Sequence, residues 1–201
     1  MLSFRHFLIE AEGYGLTIFD IDETLFHTKA RIYVVRDGVI TKKLDNQQFN
    51  TYKLKSGESF DFGEFKDAQF FYDTSKPIEK VVKKMKAITK NAVAKGSSVI
   101  IVTARADFDN KKIFLNTFRK YDIDIDNIYV ERAGNLNYGT PAKNKRSIFK
   151  KYLDTGNFVR IRLFDDSNEN IEEFLSLQSK YSNVKFEAFF VNEFGDSIRK
   201  R

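Results

Sequence analysis

The chain has 201 residues, a formal net charge of +6 and a pI near 9.3, with 42% hydrophobic and 31% charged residues and two prolines, a balance that excludes a disordered or fibrous chain. There is no cysteine, and only His6 and His27 offer imidazole, so disulfides and thiolate metal centres are excluded, a multi-histidine zinc site is disfavoured, and a metal here would be a hard cation held by oxygen. No apolar run reaches the length of a membrane span, and "MLSFRHFLIEAEGYG" lacks the apolar core and cleavage site of a secretory leader, so a cytoplasmic location is expected.

The first buried strand is "LTIFDI", running into Asp20 and Asp22. Residues 30–72 then depart from the pattern of the rest. "ARIYVVRDGVITKKL" reads as a hairpin turning at Asp37 and Gly38, and "FDFGEFKDAQFFYD" as an aromatic, acidic and irregular stretch. Beyond it, "KPIEKVVKKMKAITKNAVAKG" predicts a helix with Pro77 in its first turn and Gly96 at its end. "SVIIVTA" predicts a strand, "NKKIFLNTFRKY" a helix, "IDNIYVE" a strand and "PAKNKRSIFKKYL" a helix. "VRIRLFDD" predicts a strand, "NENIEEFLSLQSKY" a helix and "VKFEAFFVN" a last strand, leaving "SIRKR" as a short mobile tail. Alternating strands and helices predict a three-layer, Rossmann-like α/β fold with a parallel sheet. One domain over residues 1–201 is expected, with 30–72 as an insertion hanging over the carboxyl ends of the strands, where such sheets bind ligands.

Three predicted strands end in polar residues: Asp20 and Asp22, then Thr103 and Arg105, then Asp165 and Asp166. In a parallel sheet these ends meet at one edge. Four converging carboxylates repel one another, and a bound divalent cation relieves this. Magnesium, taking carboxylates, waters and a phosphate oxygen, suits that set. Beside such a cation one carboxylate can attack phosphorus and a second can move the proton. Asp20 and Asp22 have the spacing for this if the chain turns at Glu23. Thr103 and Arg105 could hold phosphate oxygens, and a lysine could neutralise transition-state charge.

"FDIDETLF", "IIVTAR", a lysine at the head of "NKRSIFKKYL", and "RLFDDSNENI" occur in order. Together they resemble the four motifs of the haloacid dehalogenase (HAD) superfamily, over residues 16 to about 175. The resemblance implies a magnesium-dependent phosphatase with Asp20 as nucleophile and Asp22 as general acid and base. It also implies Thr103 binding the phosphoryl group, and magnesium held by Asp20, the Asp22 backbone carbonyl and Asp166, with Asp165 beside them. Lys145 is preferred to Lys143 as the site lysine, because it lies three and four residues before Ile148 and Phe149 on the inward helix face. The arginine closing the second motif and the paired acids of the fourth also resemble the phosphatase part of bacteriophage polynucleotide kinase 3′-phosphatases. By that resemblance, Arg105 joins the phosphate-binding set and a polynucleotide 3′-phosphate end is a substrate. No Walker-type loop accompanies it.

The bland readings are distinct. Isolated acids cap helices, lone lysines are surface charges, and His27 near an acidic site reads as a bystander. The aromatics Phe60, Phe62, Phe65, Phe70, Phe71 and Tyr72 read first as packing and only second as a surface for stacking bases. The basic surplus reads first as a soluble surface and second as a nucleic-acid partner. The rivals to a polynucleotide-end phosphatase are a nucleotidase or other small-ester phosphatase, a phosphotransferase, and a nucleic-acid-binding protein with a relic site.

Overall fold

The computed structural model describes residues 14–93 and 96–200, so all but the last two residues of the opening segment read against a secretory leader lie outside the described residues. Strand β1 (Tyr14–Phe19) alternates its side chains between the sheet's two faces, Leu16 and Ile18 entering one core and Phe19 the other. A tight loop leads to the two-residue β2 (Phe26–His27) and the insertion: β3 (Ile32–Arg36), β4 (Val39–Leu44), α1 (Asn46–Thr51), β5 (Glu58–Asp61), α2 (Gly63–Lys66) and α3 (Ala68–Thr74). Then come β6 (Lys76–Pro77), α4 (Glu79–Val93), β7 (Ser98–Thr103), α5 (Lys111–Arg119), β8 (Tyr129–Arg132), α6 (Pro141–Leu153), β9 (Phe158–Asp165), α7 (Asn168–Leu175), β10 (Lys185–Val191) and β11 (Ser197–Lys200).

The central sheet has the order β11-β10-β9-β1-β7-β8, parallel except for β11. On one face α3, α4 and α5 bury Phe71, Val81, Met85, Phe114 and Phe118; on the other α6 and α7 bury Phe149, Tyr152 and Phe174. This is a three-layer α/β fold. The carboxyl ends of β1, β7 and β9 lie at one edge of it.

Residues 30–72 build a separate antiparallel sheet, β4-β3-β5, around Ile32, Val34 and Leu44, with Phe49, Tyr52, Phe60 and Phe65 packed on them. Asp37 (φ 50°) and Gly38 (φ 76°) both take the left-handed conformation that a two-residue hairpin turn requires. The stretch expected to be irregular is instead ordered. Glu58–Asp61 pairs with β3, and two short helices follow, the second capped by Asp67 through the Phe70 N–H at 2.7 Å. Short elements of this kind carry little periodicity to read.

Other expectations shift. Pro77 precedes α4 because it pairs with Phe26, while the Ile78 N–H bonds to the Leu25 carbonyl at 2.9 Å. "IDNIYVE" begins with a 3-10 turn, Ile125–Asn127, before β8, and α7 stops at Leu175. "SIRK" is strand β11, paired antiparallel with β10. The turn between them is tied by Asn192, whose Oδ1 accepts from the N–H groups of Phe194 (3.1 Å) and Asp196 (2.8 Å), a side-chain turn signal overlooked in "NEFGDS". Among the described residues no helix is long and apolar enough to cross a membrane.

Candidate active site

The Asp20 N–H still bonds to the Phe164 carbonyl (3.0 Å), so this residue is fixed by the sheet itself. Beyond it the chain folds back on the Ile21 carbonyl, which accepts from the N–H groups of Leu25 and Phe26. Glu23 turns the loop with φ 53°. Asp20 and Asp22 therefore leave the strand end towards different partners.

Lys145, in the second turn of α6, is 1% exposed and donates to Asp20 Oδ1 at 2.7 Å and to Asp165 Oδ2 at 2.8 Å. Lys143 is exposed. Asp165 Oδ1 accepts from the Ser167 N–H (3.0 Å) and from Asn170 Nδ2 (2.8 Å), which fixes its plane. Asp166 completes a group in which carboxylate oxygens of Asp20, Asp165 and Asp166 all lie within 4.8 Å of one another and could hold a metal ion. Among the described residues its one hydrogen bond from a side chain is a long one, 3.5 Å from Thr24 Oγ1.

Burial raises Asp20 to about 7, with Lys145 opposing and Asp165 and Asp22 adding to the rise. Asp166 is raised for the same reasons, burial first and then Asp165 and Asp20. Lys145 is held protonated: burial disfavours its charge, but the two carboxylates outweigh this. One ammonium among three close carboxylates leaves negative charge uncancelled, and the donors are all hard oxygen. That is the charge and chemistry a magnesium ion fits.

The side chain of Asp22 lies apart from that cluster. Arg105 grips it bidentately, Nε to Oδ2 at 2.9 Å and Nη2 to Oδ1 at 2.7 Å. The same guanidinium donates to the Phe65 carbonyl and to Thr28 Oγ1, both at 3.0 Å, and lies over the rings of Phe65, Phe71 and Phe108. The Asp22 side chain is not in the group formed by Asp20, Asp165 and Asp166, and the Arg105 donors meet Asp22, Thr28 and the Phe65 carbonyl. The physical reason is that a buried arginine requires an anion, and Asp22 is the one within reach. Thr103 is fully buried at the end of β7, where its Oγ1 accepts the Arg105 N–H at 3.2 Å. His27 stays at the surface on Glu23, 2.8 Å away.

From the sequence, Thr24, Thr28, Asn170 and Gly134 have no role, and Phe65 reads first as packing. Of these only Asn170 carried a signal, standing on the inner face of a helix beginning just past the acidic pair. Gly134 packs so closely that a Cβ would lie 2.4 Å from the Ala104 carbonyl oxygen.

No protein-family model and no curated protein matches this sequence. Among solved structures, the HAD domain of effector protein Lem4 from Legionella pneumophila is similar, with a TM-score of 0.54 over 90% of this chain and 87% of that one. The fold is HAD-like. At 14% identity the likeness speaks for the HAD-like fold alone.

Proposed function

We propose that this chain is a magnesium-dependent phosphomonoesterase that works through an aspartyl-phosphate on Asp20. The observation that carries the reading is the meeting of Asp20, Asp165 and Asp166 around the Lys145 ammonium, at the sheet edge where α/β folds bind ligands. With Oδ1 held by Lys145, Asp20 keeps Oδ2 to attack phosphorus as the bond to the leaving oxygen breaks. Asp22 acts as the acid toward that oxygen only when its pairing with Arg105 opens and it takes up a proton, and it then acts as the base toward the water that releases phosphate from Asp20. Arg105 fixes Asp22 in place, so its role is orientation. The Thr103 hydroxyl and Lys145 stabilise the phosphoryl oxygens. When bound to Asp20, Asp166 and the Asp22 carbonyl, with Asp165 beside them, magnesium would neutralise phosphate charge.

The substrate we propose is a polynucleotide 3′-phosphate end. Supporting it are the basic net charge and an insertion that serves as a small flap, its tip exposing Val39 and Ile40 and its outer strand Lys42 and Lys43. A small ester such as a mononucleotide is the runner-up, and the full set of acids speaks against a relic site in a binding protein. The test is magnesium-supported phosphate release from 3′- and 5′-phosphorylated oligonucleotides, mononucleotides and sugar phosphates, by the wild type and Asp20→Asn. Release from the 3′ end above all others, abolished in the variant, is expected. Preference for a sugar phosphate would overturn the substrate, and full activity of Asp20→Asn the mechanism.

A further inference from the structure

The opposite edge of the sheet carries charge that this chemistry does not use. Gly15 and Thr17 of β1 stand in register with Arg160 and Arg162 of β9, about 10–16 Å back along β1 from Asp20 at the ~3.3 Å rise of a parallel strand. With Lys84 of α4 and Ser97 they line a cleft of about 330 Å³. Its charge is one-sided. Glu187 accepts from Arg162 at 2.8 Å and also meets Lys185 and Arg199 at 3.4 and 3.3 Å, so one carboxylate serves three cations. Among the described residues Arg160 has no carboxylate partner, and the Lys84 ammonium lies over the Phe164 ring at 5.4 Å. The Arg160 guanidinium lies across Gly15, where a Cβ would come within 3.1 Å of its Nη2. Ser97 Oγ accepts the Gly15 N–H at 3.2 Å and keeps its own proton to donate.

Arg160 and Arg162 are half-buried, and of the two only Arg162 has a carboxylate among the described residues to offset the cost of partial desolvation. We propose that this cleft binds a phosphate group, carried by a free nucleotide or by a nucleic-acid strand. The Arg160 guanidinium, the part of Arg162 that Glu187 leaves over, an ammonium and a hydroxyl match the charge and the several oxygens of phosphate better than those of a single carboxylate, and the volume admits a small ligand. The inference is independent of the phosphatase reading.

The test is calorimetric titration of the metal-free, full-length protein, in which the acidic edge repels anions, with inorganic phosphate, a mononucleotide and single-stranded oligothymidylate. Saturable, salt-weakened binding is expected, falling roughly tenfold or more in Arg160→Gln and also in Lys84→Gln, with the thermal midpoint of each variant unchanged. Tighter binding of the mononucleotide would assign a nucleotide site, and tighter binding of the oligomer a strand site. Absence of saturable binding, or an affinity in either variant equal to that of the wild type, would overturn the proposal.

Discussion

At the carboxyl-terminal edge of the sheet, three acids, Asp20, Asp165 and Asp22, are shared between two buried cations, Lys145 and Arg105, each fixed by two or more hydrogen bonds, with Asp166 beside them. At the amino-terminal edge of the same strands β1 and β9, cations outnumber acids, and Arg160 faces a cleft. The first edge locks its charges to one another and so defines a geometry. The second leaves them available. Substitution should therefore be costly at the first edge and nearly silent for folding at the second.

The largest expected effect comes from Lys145→Met, which leaves Asp20 and Asp165 buried without their counter-charge. A loss of about 3–5 kcal/mol is expected in urea denaturation of the metal-free protein. A loss below about 1 kcal/mol would place this edge with solvent-screened surface pairs. Gly134→Ala comes next, because its Cβ would press on the Ala104–Ala106 backbone that carries Arg105. A loss of about 1–3 kcal/mol with slower turnover is expected, and an unchanged melting curve would show that the segment yields freely.

A pH series on the metal-free protein sharpens the contrast further. Asp20, raised from 3.8 to about 7, and Asp166, also raised, hold protons in the folded chain that the unfolded chain has released. The contribution of Asp20 to stability is full below 3.8 and is lost as pH rises to about 7, and Asp166 acts in the same direction. Magnesium should restore stability above that range, and a magnesium effect equal at both ends of the series would count against the carboxylates as its ligands. The smallest effect is Arg160→Gln, expected to change folding stability by no more than about 0.5 kcal/mol.

Much of the sheet was legible because β1, β7 and β9 are apolar runs ending in polar residues, and Asp37-Gly38 is a turn with few alternatives. The helix of Lys145 was readable in "PAKNKRSIFKKYL" from its apolar face, on which Ile148 and Phe149 stand. What escaped the sequence was set by contacts between distant segments. That Asp20 and Asp22 serve different cations follows from where β7 delivers Arg105, and that Arg105 is itself covered follows from Phe65 and Phe71 in the insertion. No local spacing encodes either. The strand β11 depended on Asn192 tying its turn, a signal hidden in a polar stretch.

The most direct test of the covalent role proposed for Asp20 uses Asp22→Asn with p-nitrophenyl phosphate and magnesium, since this leaving group departs without an acid and the later hydrolysis still requires a base. Acid-quenched protein is mapped by peptide mass. The account predicts one phosphoryl group on Asp20, absent when Asp20→Asn is added. Nitrophenol release by the wild type with no phosphoryl group on Asp20 in the Asp22→Asn protein, or release undiminished by Asp20→Asn, would contradict it.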